Sequence, residues 1–374
     1  MKKTIRPIRS FLILFLILYG LLIASVILPD REYSSTENKY LATLPSVSLK
    51  SVLNGSFAER YDTYVSDQLP GRDSWIALRS VSESFLLRTE NNGVVYGEDG
   101  YLFQKYTSFV EEDLRDNIGA INCFSSKASA PVYVVIVPSS YTVLGDLLPE
   151  GAPFADQRSV MENGQTGKLG SLFSGCSYID ILSALDRHSD EYIYYRTDHH
   201  WTTDGAWLAY NVLCTHLGLD SFSRSSGKAY ESEGFLGTSY SRCRRSGQIA
   251  DIIKYYPFDA VLTEGGNTHD SIYDYTKLST RDRYAMFLYG NGAERKIESA
   301  PGAGKKGSLL VIKDSFADCL IPFLTNNYET ITCIDPRYWS GSFSSLAAEG
   351  YDDILILFGF EDLAGESSIL KLGF

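Results

Sequence analysis

The sequence predicts an α/β protein organised around a doubly wound parallel sheet, and three observations point there. Four strand-length stretches are almost continuously apolar: residues 131–137, 308–312, 330–334 and 353–357. Segments of helical period separate them, and strands covered on both faces read as unbroken apolar runs rather than as alternation. Each run also ends in a polar or turn cluster: Pro138-Ser139-Ser140, Asp314-Ser315, Asp335-Pro336-Arg337-Tyr338 and Phe358-Gly359-Phe360-Glu361-Asp362. In open parallel sheets the functional crevice lies outside the carboxyl ends of the strands, so these stretches converge on one edge.

The chain has 374 residues, 44% hydrophobic and 13% aromatic, which fits a globular protein with a large core. Residues 1–10 form a basic segment with Lys2, Lys3, Arg6 and Arg9, and residues 11–28 are apolar apart from Tyr19, Gly20 and Ser25. An 18-residue run of this kind spans about 27 Å as a helix, enough for a single-pass signal-anchor. The basic cluster would stay in the cytoplasm and the bulk of the chain outside the cell membrane. A cleaved signal peptide is the alternative, but the run is long for one and no small-residue cleavage site follows. No acid precedes residue 29, so the rest of the chain is more acidic than the overall net charge of −12 implies. Such a surface does not neutralise phosphates, which excludes nucleic acid as a partner.

Residues 29–95 read as a membrane-proximal, largely helical segment. Phe57, Tyr61, Tyr64 and Val65, then Trp75, Leu78, Val81 and Phe85, recur at three- to four-residue spacing around a turn at 67–73. The main domain is expected over 96–374. The block Gly93-Val94-Val95-Tyr96-Gly97-Glu98-Asp99-Gly100-Tyr101-Leu102-Phe103 has the pattern of a hairpin. A stretch from about 219 to 305, rich in Ser, Gly, Arg and Tyr, is expected as a loop-rich insertion with short strands rimming the site.

The chemistry concentrates in Tyr195-Arg196-Thr197-Asp198-His199-His200-Trp201, which holds two of the five histidines. Residues 191–195 read as a strand, and a helical period follows with Thr203 as N-cap and Gly218 beyond its end. Asp198 and His200 then lie on a strand-to-helix connection. Ser315 follows an apolar run and opens a helical face of Phe316, Cys319, Leu320, Phe323 and Leu324, which Pro322 ends or kinks. Its backbone N–H, at the positive end of a helix, suits an oxyanion. A serine hydroxyl needs a base, His200 could supply it, and Asp198 could fix the histidine tautomer. A serine in such a place also serves as a plain N-cap.

A metal reading of Asp198-His199-His200 lacks further upstream acids, and adjacent residues on an extended chain face opposite ways. His199 is then a stacking or supporting residue, and no metal or cofactor is expected. His188, His216 and His269 read as surface or helix residues. The six cysteines have no zinc-like spacing, and Cys319 and Cys333 read as buried thiols. Arg337 and Tyr338, after the strand next to that of Ser315, could stabilise developing negative charge or hold substrate. An Arg337 paired with Asp335 or Glu361 on the rim is the competing reading.

Arg196-Thr197-Asp198-His199-His200-Trp201 with Lys313-Asp314-Ser315-Phe316 resembles the DHHW protein family, which is similar to the SGNH-hydrolase-like domains of alginate O-acetylation proteins. The likeness extends to Glu37-Asn38-Lys39 with Leu41-Ala42, to the block around Gly97–Phe103, to Gly234-Phe235-Leu236-Gly237-Thr238 and to Asp335-Pro336-Arg337-Tyr338. The resemblance implies an SGNH-hydrolase-like fold with Asp198 as acid, His200 as base and Ser315 as acyl-carrying nucleophile. It also implies O-acyl (acetyl) transfer to an envelope or exported polysaccharide, beside a multi-spanning membrane acyltransferase. A carbohydrate esterase with the same triad, and a non-catalytic polysaccharide-binding scaffold, are the alternatives. Two departures stand out: Lys313 replaces the glycine of Gly-Asp-Ser, and no Gly-x-Asn-Asp oxyanion block is evident.

Overall fold

The computed structural model describes residues 5–34, 39–86, 88–162, 169–225, 227–302 and 304–374. All four apolar runs are strands, namely β1 (Val132–Val137), β6 (Lys306–Lys313), β7 (Tyr328–Ile334) and β8 (Asp353–Gly359). Their residues are buried almost throughout, and β8 is buried at every position, which is why no alternation marks them. The remaining strands of the sheet are β2 (Ser177–Ile179), β3 (Ala260–Glu264), β4 (Asn267–His269) and β5 (Glu294–Ser299). The eight run in the order β4-β3-β5-β7-β6-β8-β1-β2. From β7 to β2 every pairing is parallel, whereas β5, β3 and β4 add on antiparallel beyond β7. The protein is thus a mixed α/β fold with a mostly parallel central sheet.

Three short strands of the expected insertion, β3, β4 and β5, extend the central sheet. They give no unbroken apolar run: β5 alternates exposed and buried, and one of its buried residues is Arg295. The other part of the insertion forms a hairpin, Tyr230–Phe235 against Asp251–Tyr255. Residues 191–195 are a further difference, since they form no strand. Ile193, Tyr194 and Tyr195 are buried as a packed loop with a single bridge, Tyr194 to Trp201. The aromatic, β-branched composition there serves the core rather than a ladder.

Helix α2 (Glu111–Lys127) buries Leu114, Ile118, Ile121 and Phe124 along one stripe and packs on the segments after β7 and β8. Helix α3 (Thr203–Leu217) starts one residue earlier than its apolar period suggests. Thr202 is its N-cap, accepting from Gly205 N, and Gly218 closes it in the left-handed conformation. After β6 the chain forms the short helical turn Ser315–Cys319, breaks at Leu320 and resumes at Ile321–Leu324. Pro322 sits in the first turn of this second piece, where its missing N–H costs nothing.

The chain divides into two compact units, Thr89–Tyr240 with Gln248–Phe374, and Met1–Arg88 with Ser241–Gly247. In the first, Val94–Tyr96 pairs with Leu102–Gln104 as the hairpin pattern predicts, and Glu90–Asn91 adds a third strand. Residues 90–95, read from sequence as membrane-proximal, belong to this sheet. The second unit contains the apolar helix α1 (Ile5–Ile27), followed by helices Leu49–Leu53, Ser56–Asp67 and Arg72–Phe85. Ile5–Ile27 is the one described helix long and apolar enough to cross a membrane. Asp67 organises the turn at 67–73: it is buried, pairs with Lys39 at 2.8 Å and accepts from Ala42 N at 3.0 Å. Lys2, Lys3, Glu37 and Asn38 lie outside the described residues.

Candidate active site

Ser315 sits directly past the end of β6, at the carboxyl edge of the sheet. Asp314 caps the turn it opens, accepting from Phe316 N at 2.8 Å and from Gly359 N at the end of β8. Among the described residues the Ser315 N–H donates no hydrogen bond. His200 arrives on the loop before α3. Its Nε2 lies 2.8 Å from Ser315 Oγ, and its Nδ1 lies 2.6 Å from Asp198 Oδ1. Residues 115 positions apart thus meet in one hydrogen-bonded line, with Asp198 and His200 nearly inaccessible to solvent. With Nδ1–H donating to the carboxylate, Nε2 is the free lone pair that faces the serine hydroxyl.

Three partners hold this loop in place. Thr238 donates to Asp198 Oδ2 from its N–H at 2.7 Å and from its hydroxyl at 2.9 Å. The chain can approach this closely because residue 237 is glycine: a Cβ there would stand 2.4 Å from Asp198 Oδ2. Asp251 accepts from Arg196 N at 2.8 Å, Thr197 N at 2.7 Å, Thr197 Oγ1 at 2.5 Å and the Tyr192 hydroxyl at 2.5 Å. Trp201 Nε1 donates to Phe316 O at 2.9 Å and ties the base-bearing loop to the serine turn.

Burial by itself would raise the Asp198 pKa. The neighbouring His199 and His200 charges, and hydrogen bonds from His200 and Thr238, outweigh it and hold the carboxyl well below its usual range. Asp198 therefore stays ionised, as an orienting acid must. Tyr284 lies flat on the His200 ring, with centroids 3.9 Å apart and planes 8° apart, and donates its hydroxyl to Ser315 O at 2.9 Å. Burial keeps that phenol protonated. Behind the serine, Lys313 Nζ pairs with Asp318 at 2.5 Å, both almost fully buried. The residue that replaces the expected glycine is thus half of an internal ion pair. Burial pushes the Cys319 thiol up to about 12, so it is no competing nucleophile.

The histidine pair departs from expectation. The segment bends instead of extending, and the His199 and His200 rings lie 3.8 Å apart instead of on opposite faces. One atom each of Asp198, His199 and His200 falls within 4.8 Å of the others, a spacing that would admit a cation. The donor chemistry favours a relay over a ligand set. Both Asp198 oxygens already accept, His199 Nδ1 is 2.8 Å from Thr238 Oγ1, and His200 Nε2 faces Ser315. Arg337 is not brought to the triad: its guanidinium grips Asp335 through Nε at 3.0 Å and Nη2 at 2.7 Å, and reaches Asp362 at 3.3 Å. Tyr338 is 54% exposed beside it. These bonds are those of the rim pairing, with Asp362 in place of Glu361. Asp251, Tyr284 and Lys313–Asp318 were not assigned roles from sequence. Two of the supporting positions carry a sequence signal, Thr238 inside the Gly234–Thr238 block and Lys313 as the departure from Gly-Asp-Ser.

Comparison with known proteins bears on the fold and the family of the chain. A family model described as DHHW protein matches residues 86–334. The probable alginate O-acetylase AlgJ of Azotobacter vinelandii is 22% identical over 225 residues, 57% of this chain and 54% of that protein. This chain therefore matches about half the length of that relative. A crystal structure of a DHHW family protein from Eubacterium siraeum shares 26% identity with a TM-score of 0.64, covering 75% of this chain and 95% of that one. Bacillus cereus PatB1 shares the fold at 17% identity and a TM-score of 0.60, covering 75% of this chain and 99% of that one. Since the family model spans more than half of the sequence and includes the loop that carries Asp198, His199, His200 and Trp201, the chain belongs to the DHHW protein family.

Proposed function

We propose that this protein carries an acetyl group on Ser315 and transfers it to a hydroxyl of an extracytoplasmic polysaccharide. The observation that carries the reading is the unbroken line Asp198–His200–Ser315 at the carboxyl edge of the sheet. The name of the AlgJ relative, an alginate O-acetylase, supports a polysaccharide acceptor.

In the first step Ser315 Oγ attacks the carbonyl of an acyl donor while His200 Nε2 takes the hydroxyl proton. The ionised Asp198 stabilises the imidazolium, which then protonates the departing group. The Ser315 N–H is the available donor for the oxyanion. In the second step a sugar hydroxyl gives its proton to His200, attacks the serine ester and leaves acetylated, restoring the serine. Helix Ile5–Ile27 would hold the protein at the membrane with the basic segment in the cytoplasm. A multi-spanning membrane acyltransferase is the partner that would deliver acyl groups from inside.

The test supplies 4-nitrophenyl acetate as donor with neutral and carboxylated oligosaccharides as acceptors, and measures sugar O-acetyl esters by mass spectrometry. Ester should form with the unaltered protein and vanish in Ser315→Ala. Acetate released to water without sugar ester would instead make the protein an esterase, and equal ester with Ser315→Ala would remove the serine from the mechanism.

A further inference from the structure

One sequence block has no part in the triad. The turn Gly97-Glu98-Asp99-Gly100 and the following Tyr101 pack against Arg196, the first residue of the loop that carries Asp198. Arg196 Nε donates to Asp99 O at 3.1 Å, and Leu102 N donates to Arg196 O at 2.8 Å. The guanidinium lies between two rings, with its carbon 4.7 Å from the Tyr192 centroid and 5.4 Å from that of Tyr101. Gly100, at φ +79°, keeps the turn close: a Cβ there would stand 3.8 Å from Arg196 Cδ and 3.2 Å from Gln248 Nε2.

Arg196 faces a cavity of about 520 Å³ lined by Asp99, Tyr192, Arg196, Ile249, Ala250 and Ile252. That size falls in the range of small-molecule sites. Among the described residues no carboxylate forms an ion pair with Arg196, and neither of its Nη atoms has an acceptor. In a chain of net charge −12 this leaves an unengaged, pre-oriented fork of donors. The opposite wall is apolar and open, with Ile249 58% and Ile252 36% exposed. A donor fork, an aromatic ring, an acceptor carboxylate in Asp99 and an apolar wall together suit a sugar ring, which has oxygens at its edge and C–H groups on its faces.

The geometry points to a second, saccharide-binding site at Arg196 that holds a unit of the acceptor glycan, a claim that rests on the proposed transferase reading. The fork takes a pair of acceptor oxygens, either neighbouring hydroxyls or a carboxylate, and the Tyr192 and isoleucine surfaces take the ring. Occupancy bears on the triad through shared bonds. Tyr192 OH, Arg196 N and Thr197 N all end on Asp251, and Thr197 Oγ1 accepts from Gly237 N beside the Thr238 clamp on Asp198.

Calorimetric binding of a cello-oligosaccharide and an oligogalacturonate of equal length tests this on the full chain, with Ser315→Ala as the parent so that no chemistry intervenes. At least one sugar should bind the parent and lose about tenfold or more in affinity in both Arg196→Gln and Ile252→Glu. Melting curves confirm that each variant is folded, and Ile252→Glu changes an already exposed side chain. Preference for the oligogalacturonate, weakened by salt, would assign the fork to a carboxylate; equal binding would assign it to hydroxyls. Binding unaffected by either substitution, or no millimolar binding of either sugar, overturns the site. Failure of acetyl transfer with sugar binding intact would instead count against the transferase reading alone.

Discussion

Ser315 stands at the end of β6, whose last five residues are buried between two parallel neighbours, β7 and β8. His200 stands on a loop with a single bridge, held by Thr238, Asp251 and the Trp201 indole. The nucleophile is placed by packing, and the base by a few polar hydrogen bonds. Packing has no single weak point, whereas a network of seven hydrogen bonds has several. Substitutions behind the serine should therefore cost stability, and substitutions around the histidine should cost turnover.

The largest effect is expected at the acid. Asp198→Asn should retain the fold yet lower acylation of Ser315 by about 10⁴, the magnitude of the same change in a Ser-His-Asp protease. Full activity in a well-folded Asp198→Asn protein would show that the loop does not depend on its network. Behind the serine, Lys313→Met leaves Asp318 buried without its partner. It should destabilise by about 3–5 kcal/mol in denaturant unfolding, and Lys313→Met combined with Asp318→Leu should recover most of that. If Lys313→Met melted normally but lost turnover, packing would not be what places the nucleophile.

Arg337→Ala sharpens the contrast at the rim. It strips the counter-charge from Asp335, which is fully buried, while the arginine is itself 25% exposed. A loss of about 2–3 kcal/mol of stability is expected, with acylation changed less than about tenfold. A hundredfold fall in acylation at unchanged stability would restore an oxyanion role. At Tyr284 the stack on His200 is worth about 0.5–1.5 kcal/mol, so Tyr284→Leu should reduce kcat by up to about tenfold and Tyr284→Phe less. A Tyr284→Leu protein with unaltered kcat would remove the ring from the positioning of the base.

The smallest effect concerns pH. Because the Asp198 pKa is depressed in the folded state, its contribution is complete above the unfolded value of about 3.9 and is lost as pH falls below it. The difference in melting temperature between the unaltered protein and Asp198→Asn should be constant from pH 8 to 5 and shrink below about pH 4. A gap that is undiminished at pH 3 would contradict a carboxyl whose folded pKa is depressed.

The two regions also differ in how far they can be read from sequence. The parallel strands are legible because burial on both faces forces unbroken runs such as those of β1 and β8. Ser315 is legible because it follows such a run, and Asp198 and His200 because an acid and a base stand together just ahead of the helical period of α3. Strand β5 is not, since Glu294, Lys296 and Glu298 point outward and Arg295 is buried among charges. Residues 191–195 mislead in the other direction, because a packed loop and a strand draw on the same residue types. The roles of Asp251 and Tyr284 depend on contacts about 30 to 85 residues away in sequence, and local pattern does not encode them.

Activation of the Ser315 hydroxyl by His200 is read most directly by intact-protein mass spectrometry after brief exposure to 4-nitrophenyl acetate, with peptide mapping. One acetyl group is expected on Ser315, absent in Ser315→Ala and formed far more slowly in His200→Ala. An acetyl group on another residue, or labelling of Ser315 at the same rate without His200, would contradict it.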